Sequence, residues 1–221
     1  MTIDVEVWAP EEYAVRAGRK IAMRLPELGT AVITGGGTAE SVYRKLVHEG
    51  TDWSGVQVLF SDERAVPPDH DASNYRMANE TLLASARPRA VHRMRGEDAP
   101  EDAARAYASE IAPFVAEGID VAVLGMGGDC HICALFPGSP ALAAEELCAA
   151  VDRPDGMKGI TLTPPALRAC KQVLVIVTGE SKAEAVRRAV QGSEDANDCP
   201  VRLLAGLKTT FLVDAPAASL L

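Results

Sequence analysis

The sequence predicts an α/β fold built on a mainly parallel, doubly wound sheet flanked by helices, and two observations predict it. β-branched apolar runs recur at Ala31 to Thr34, Val56 to Ser61, Ile119 to Gly125, Val173 to Thr178 and Thr210 to Val213, the composition of strands buried on both faces. Segments of helical period separate them. Such alternation leaves few layer arrangements other than a modified Rossmann-like sheet covered on both sides.

The elements follow in order. Ile3 to Trp8 reads as a short first strand, and Tyr13, Ala17, Ile21 and Leu25 recur at the spacing of one buried helix face. The run from Ala31 then enters Gly35, Gly36 and Gly37, after which a helix capped by Thr38 is expected. The run from Val56 ends at Asp62, Glu63 and Arg64. The run from Ile119 ends in a glycine-rich turn carrying Asp129 and His131, and the run from Val173 precedes a helix over Ser181 to Val190 with Ala185 and Ala189 one turn apart. The five runs should form the centre of one sheet. No composition break or internal period marks a linker, and the loops richest in proline or glycine, around Pro67 to Asp69 and Asp152 to Gly159, are short. A single domain over 1–221 is expected, long enough to bury roughly 70% of its unfolded surface.

Composition narrows the chemistry. Hydrophobic residues make up 48% and charged residues 24%, ordinary globular values that argue against long disordered tracts. A formal net charge of -9 repels nucleic acid and anionic membrane surfaces, so neither is an expected partner, and an anionic substrate would need a local basic pocket. The start of the chain has no positive flank before an apolar core, and no run approaches the ~20 apolar residues that cross a bilayer. A cytoplasmic location is expected. The five cysteines are odd in number and dispersed, which favours reduced thiols. Cys130 and Cys133 have the C-x-x-C spacing, but no second pair completes a zinc site, so neither metal nor cofactor is expected.

In open α/β sheets ligands sit at the carboxyl ends of strands, which directs attention to three segments. Thr34, Gly35, Gly36, Gly37 and Thr38 join a strand to a helix, an arrangement in which backbone N–H groups and a helix N-terminus suit phosphate; a tight turn with nothing bound has the same sequence. Arg64 could take a phosphate in a two-pronged contact with Asp62 or Glu63 fixing its guanidinium, or all three could be a solvated loop. His131 is the histidine with a distinctive setting, since His48, His70 and His92 stand in polar contexts. With Asp129 two residues before it, its imidazole could take a proton from water while the carboxylate steadies the charged form.

Taken together, these segments resemble the 6-phosphogluconolactonase family, within the larger group that includes glucosamine-6-phosphate deaminase. Asp62-Glu-Arg-Ala-Val-Pro-Pro with Ser73-Asn74-Tyr75 is similar to one family block, and Leu124-Gly-Met-Gly with Asp129, His131 and Leu135-Phe-Pro-Gly to its most specific one. Ile160-Thr-Leu-Thr-Pro, Thr178-Gly-Glu-Ser-Lys182 and Pro200-Val-Arg-Leu-Leu extend the resemblance over nearly the whole chain. It implies hydrolysis of 6-phospho-D-glucono-1,5-lactone to 6-phosphogluconate in the oxidative pentose phosphate route. It further implies that His131 activates water, that Asp129 and Asp62 organise the site, and that Arg64 and Lys182 grip phosphate beside the 34–38 loop. Without the resemblance Lys182 reads as a solvated lysine at a helix start, where a cation is unfavourable unless an anion compensates. A monomer is compatible with the sequence.

Departures from the family pattern also stand out. Cys130 occupies the position usually held by glycine before the histidine, Ile132 and Cys133 replace a common Thr-Ala pair, and Gly37 and Ala39 alter the glycine loop. A positive φ at 130 would cost a side chain roughly 1 to 2 kcal/mol and threaten the alignment of His131. Two other functions compete with the hydrolytic one. Amino-sugar-phosphate deamination is echoed by His131-Ile132, but Phe136 stands where that group has its ring-opening glutamate and Arg64 replaces its tyrosine. A noncatalytic sugar-phosphate sensor would suit the altered 127–134 turn, yet the strand-like start leaves no room for DNA-binding helices there.

Overall fold

The computed structural model describes residues 3–221. Among these residues ten strands form two sheets. The larger has the order β1 (Asp4–Trp8), β10 (Thr209–Asp214), β9 (Val173–Val177), β6 (Val121–Gly125), β2 (Gly29–Ile33), β3 (Val56–Phe60), β5 (Ala90–His92), and every pairing within it is parallel. The five apolar runs are its five central strands, with β1 and β5 at the edges. The parallel doubly wound expectation is therefore borne out.

Side-chain alternation explains the two covered faces. Along β6, Val121 and Val123 enter one hydrophobic cluster while Ala122 and Leu124 enter the other, and Ala31 and Ile33 of β2 are separated from Val32 in the same way. One face is covered by α1 (Pro10–Ala22) and α2 (Gly37–Leu46), which contribute Tyr13, Ile21, Tyr43 and Leu46. The other carries α5 (Pro100–Glu117) and α7 (Ala183–Gln191), through residues such as Tyr107, Ile111 and Val186. Helix α1 opens with Pro10, Glu11 and Glu12 and closes with Arg19 and Lys20, charges that complement its macrodipole at both ends. It ends before Leu25, which packs beyond the last turn.

A second sheet, unforeseen from the sequence, stands beside the larger one. Its antiparallel order is β4 (Asp62–Arg64), β8 (Lys158–Leu162), β7 (Cys148–Asp152). Strand β4 is the Asp-Glu-Arg segment itself, so these residues are held by a ladder and are not a solvated loop. The described residues also form three short α-helices, α3 (Asn74–Ala78), continued by a π-helical turn into α4 (Ala84–Ala86), and α6 (Pro164–Arg168), together with short 3-10 turns.

Topology places the site. The chain passes from β2 to β3 on one side and from β6 to β9 and β10 on the other, so the connections diverge between the neighbours β2 and β6. Divergence at adjacent carboxyl ends opens a crevice, the usual ligand position of an open α/β sheet. The glycine loop leaves β2 there and the His131 turn leaves β6.

Candidate active site

A cleft of about 250 Å³ occupies that crevice. Thr34, Gly35, Gly36, Gly37, Thr38, Asp62, Arg64, His131 and Lys182 all line it, so nine of the ten residues singled out from the sequence are brought together. The tenth, Asp129, supports one of them from behind. Arg64, Lys182 and the unforeseen Arg153 set three cations against Asp62 in the lining, the local basic pocket that an acidic chain needs for an anionic ligand.

The histidine turn is built by close contact. His131 Nδ1 lies 2.6 Å from Asp129 Oδ1, and the same oxygen accepts the His131 backbone N–H at 3.2 Å. The hydrogen bond from His131 holds the Asp129 carboxyl down at about 2. An ionised carboxylate at Nδ1 fixes the proton on that nitrogen, which leaves Nε2 as the acceptor. The ring also packs on Phe136, centroid to centroid 4.6 Å. Cys130 does have a positive φ, 69°, and so does Cys133, 53°. His131 nevertheless keeps its hold on Asp129, because the Cys130 side chain is fully buried with its Sγ 3.8 Å from the Ala185 carbonyl, and Val201 N–H donates to the Cys130 carbonyl at 3.0 Å. The strain is carried by packing around the turn. All five cysteines are free thiols, and among the described residues no group of three or more His, Cys, Asp or Glu is placed to hold a metal ion.

Asp62 and Arg64 are positioned by different partners than their spacing suggests. Asp62 is 6% exposed; it accepts from Ser61 Oγ at 2.7 Å and Asn74 Nδ2 at 3.2 Å. Neither Asp62 nor Glu63 fixes the Arg64 guanidinium. Its Nη1 donates to the Ala72 carbonyl at 2.6 Å, and its buried Nε has no protein partner. Asn74 Oδ1 is likewise buried and unpaired. Two orphan polar atoms on the wall of one cleft are groups a ligand would satisfy.

Glu63 turns away from the cleft and organises the start of α3. It accepts the backbone N–H groups of Arg64, Asn74 and Tyr75 and the Ser73 hydroxyl, at 2.7 to 2.9 Å. Burial pushes its pKa up while these four donors pull it down, and the net direction is upward. Glu63→Ala would strand those donors in the interior, so a loss of about 3 kcal/mol is expected in denaturant unfolding. A loss below about 0.5 kcal/mol would show that water replaces the carboxylate.

The glycine loop also differs in detail from its expected form. Gly36, at φ 94°, is the N-cap of α2, and Thr38 lies inside the helix. Its hydroxyl does not cap; it pairs with the Thr178 hydroxyl at 2.7 Å, tying the loop to the end of β9. Gly35 is required by close approach, since a Cβ there would come within 1.8 Å of Asn74 Oδ1. Tyr43 holds the strand end from below: its hydroxyl accepts from Thr34 N–H and donates to the Thr34 carbonyl, both at 3.0 Å. Lys182 lies in a 3-10 turn before α7, and the buried Asp214 anchors that turn by accepting the Gly179 N–H at 3.0 Å.

Sequence reasoning missed Arg153, Asn74 and Thr178 as lining residues. Asn74 and Thr178 stood in recognised motifs. Arg153 sat among Asp152, Pro154 and Asp155 in what reads as a polar turn, with no signal pointing inward.

Comparison with known proteins agrees with this geometry. The pattern of the family described as Glucosamine-6-phosphate isomerases/6-phosphogluconolactonase matches residues 11–212. The chain is 34% identical to a 6-phosphogluconolactonase of Treponema pallidum over 73% of its length and 72% of that protein. It is 32% identical to one of Mycobacterium tuberculosis over 99% and 98%. A crystal structure of a 6-phosphogluconolactonase from Shewanella baltica superposes with a TM-score of 0.86 at 30% identity, covering 96% of this chain and 97% of that one. The matched span takes in the glycine loop, the Asp-Glu-Arg strand and the His131 turn, and the chain belongs to the glucosamine-6-phosphate isomerase/6-phosphogluconolactonase family.

Proposed function

We propose that the chain hydrolyses 6-phospho-D-glucono-1,5-lactone to 6-phosphogluconate, the lactone-opening step of the oxidative pentose phosphate route. The observation that carries this reading is the Asp129–His131 pair at 2.6 Å, with Nε2 free on a cleft lined by three cations. His131 Nε2 takes a proton from water as the water oxygen bonds to the lactone carbonyl carbon, and the electron pair moves onto the carbonyl oxygen. When the carbonyl reforms, the bond to the ring oxygen breaks, and that oxygen takes the proton back from His131. The acid product ionises and releases one proton. Asp129 holds the ring and steadies its charged form, and Asp62 orders the wall opposite. Residues 1–221 act as one catalytic domain.

Arg64, Lys182 and the N–H groups from Gly35 to Thr38 take the phosphate. The free Arg64 Nε and the open start of the ten-residue α2 support that assignment. Deamination is disfavoured because the Phe136 ring fills the space beside His131 and supplies no acid.

The test is proton release from 6-phosphogluconolactone followed against its spontaneous hydrolysis; a rate equal to the spontaneous one would refute the reading. Arg64→Ala is then expected to raise KM for the phosphorylated lactone about 10- to 100-fold, the worth of a charge-assisted hydrogen bond. KM for an unphosphorylated lactone should change little. Equal changes for both substrates would remove Arg64 from the phosphate.

No helix among the described residues is long and apolar enough to cross a membrane. A cytoplasmic location and a small-molecule partner, without nucleic acid, suit this activity.

A further inference from the structure

Arg153 has no part in the assignments above, yet it is one of the most firmly held side chains of the cleft. It lies just after β7 at the start of the turn to β8, and reaches back with its side chain only 11% exposed. Three contacts define its path. The aliphatic stem crosses Gly159, where a Cβ would come within 3.0 Å of the Glu63 carbonyl oxygen, 3.2 Å of Arg153 Cδ and 3.6 Å of Cγ. The guanidinium stands 5.6 Å from the centroid of Phe136, whose ring also packs on His131. Nε and Nη2 both reach Asp155 Oδ2 at 3.1 Å.

One edge of the fork remains. Nη1 faces Asp62 Oδ2 at 3.9 Å, too long for a hydrogen bond, and no other protein acceptor reaches it. The side chain is therefore immobilised by its stem and one edge while a donor stays open at the cleft. Its neighbours on the cleft side are Asp62 and Phe136, and the Phe136 ring also touches the His131 ring.

We propose that Arg153 is a catalytic residue that donates from Nη1 to the lactone carbonyl oxygen as negative charge develops there. This rests on the hydrolytic reading given above. Water attack moves an electron pair onto that oxygen, and a donor already oriented stabilises the change without reorganising during the reaction. An arginine suits the role because it keeps its charge while part-buried. Asp155 and Asp62 flank the guanidinium on either side, and they orient it without closing its last donor edge.

The experiment compares the unaltered protein with Arg153→Ala and Gly159→Val on phosphorylated and unphosphorylated lactones. Arg153→Ala is expected to lower kcat about 10²- to 10³-fold on both, as removal of an oxyanion donor does, with KM changed only a few-fold. Added guanidinium ion should restore part of the rate, a response that a folding defect would not give. Gly159→Val, which presses the stem and the Glu63 carbonyl together, should also lower kcat while the arginine remains, and added guanidinium ion should restore part of that loss too. If the unaltered protein is itself inactive, the hydrolytic reading fails. If it is active and Arg153→Ala keeps its kcat, or raises KM for the phosphorylated lactone alone, Arg153 does not serve the carbonyl and the proposal is overturned.

Discussion

Replacing His131 with alanine is expected to lower kcat for the phosphorylated lactone about 10²- to 10⁴-fold, the usual worth of positioned acid–base catalysis, while KM shifts little. The split follows from what the ring touches. Nδ1 is engaged by Asp129 and one ring face by Phe136, so Nε2 is the ring nitrogen left to meet the attacking water in the proposed mechanism. Arg64 and Lys182, proposed to hold the phosphate, are untouched by the change. The rate–pH profile should lose its acid limb in the variant, and Asp129 cannot be the source of that limb. Its folded pKa, about 2, lies below the ordinary 3.8. What it contributes to the fold is therefore present above the ordinary value and is lost only as pH falls toward 2. Across an assay range of roughly pH 5 to 8 the carboxylate stays ionised, so its hold on Nδ1 is constant there. The same loss should appear in a Cys130→Gly background, where relief of the positive φ at 130 preserves or raises activity. Full hydrolysis by His131→Ala in both backgrounds would remove His131 from the mechanism.

Most of the fold was legible because the central strands are buried on both faces and so read as continuous apolar runs. Strand β9, Val173 to Val177, has no polar residue to break the pattern. The antiparallel sheet was not legible: β4 is three charged residues whose strand conformation is imposed by pairing Asp62, Glu63 and Arg64 with Thr161, Ile160 and Gly159, a tertiary effect that no local period records. The site divides along the same line. Residues immediately after a buried run were found, since topology alone sends them to the crevice. Partners joined across the fold were not, as Thr38 shows: read as a cap, it hydrogen-bonds Thr178, 140 residues away. Glu63, read as a support for Arg64, instead caps the start of α3, and Arg153 enters from the second sheet, whose existence the sequence did not disclose. Cys130 is the converse case. Its positive φ was anticipated from the glycine it replaces, but the packing that absorbs the strain comes from α7 and the segment near Val201.

Gly127→Ala is expected to abolish catalysis as thoroughly as loss of His131, although residue 127 carries no functional group. A Cβ built there would stand 2.1 Å from His131 Nδ1, 2.3 Å from Cε1 and 2.4 Å from Asp129 Oδ1. No real Cβ tolerates such distances, so one or both side chains must leave, and the hydrogen bond that fixes the ring breaks with them. The backbone itself does not object, because Gly127 is not among the residues of positive φ. Nor should the fold, since the displaced side chains are 30% and 45% exposed and can swing toward solvent; the cost in unfolding free energy is expected to stay within about 1 kcal/mol. A fall in kcat of about 10²- to 10⁴-fold with near-native stability is the predicted signature. Gly128→Ala provides the contrast: its Cβ would meet Ser181 O at 3.5 Å and Lys182 Nζ at 3.8 Å, ordinary contacts that leave the dyad alone. The double variant Gly127→Ala/His131→Ala decides whether the glycine acts through the dyad. Groups that work as one unit are not additive, so the second change should add almost nothing to the first. A further loss comparable to the first would mean that Gly127 serves the substrate directly, and its role as the space for the Asp129–His131 pair would have to be given up.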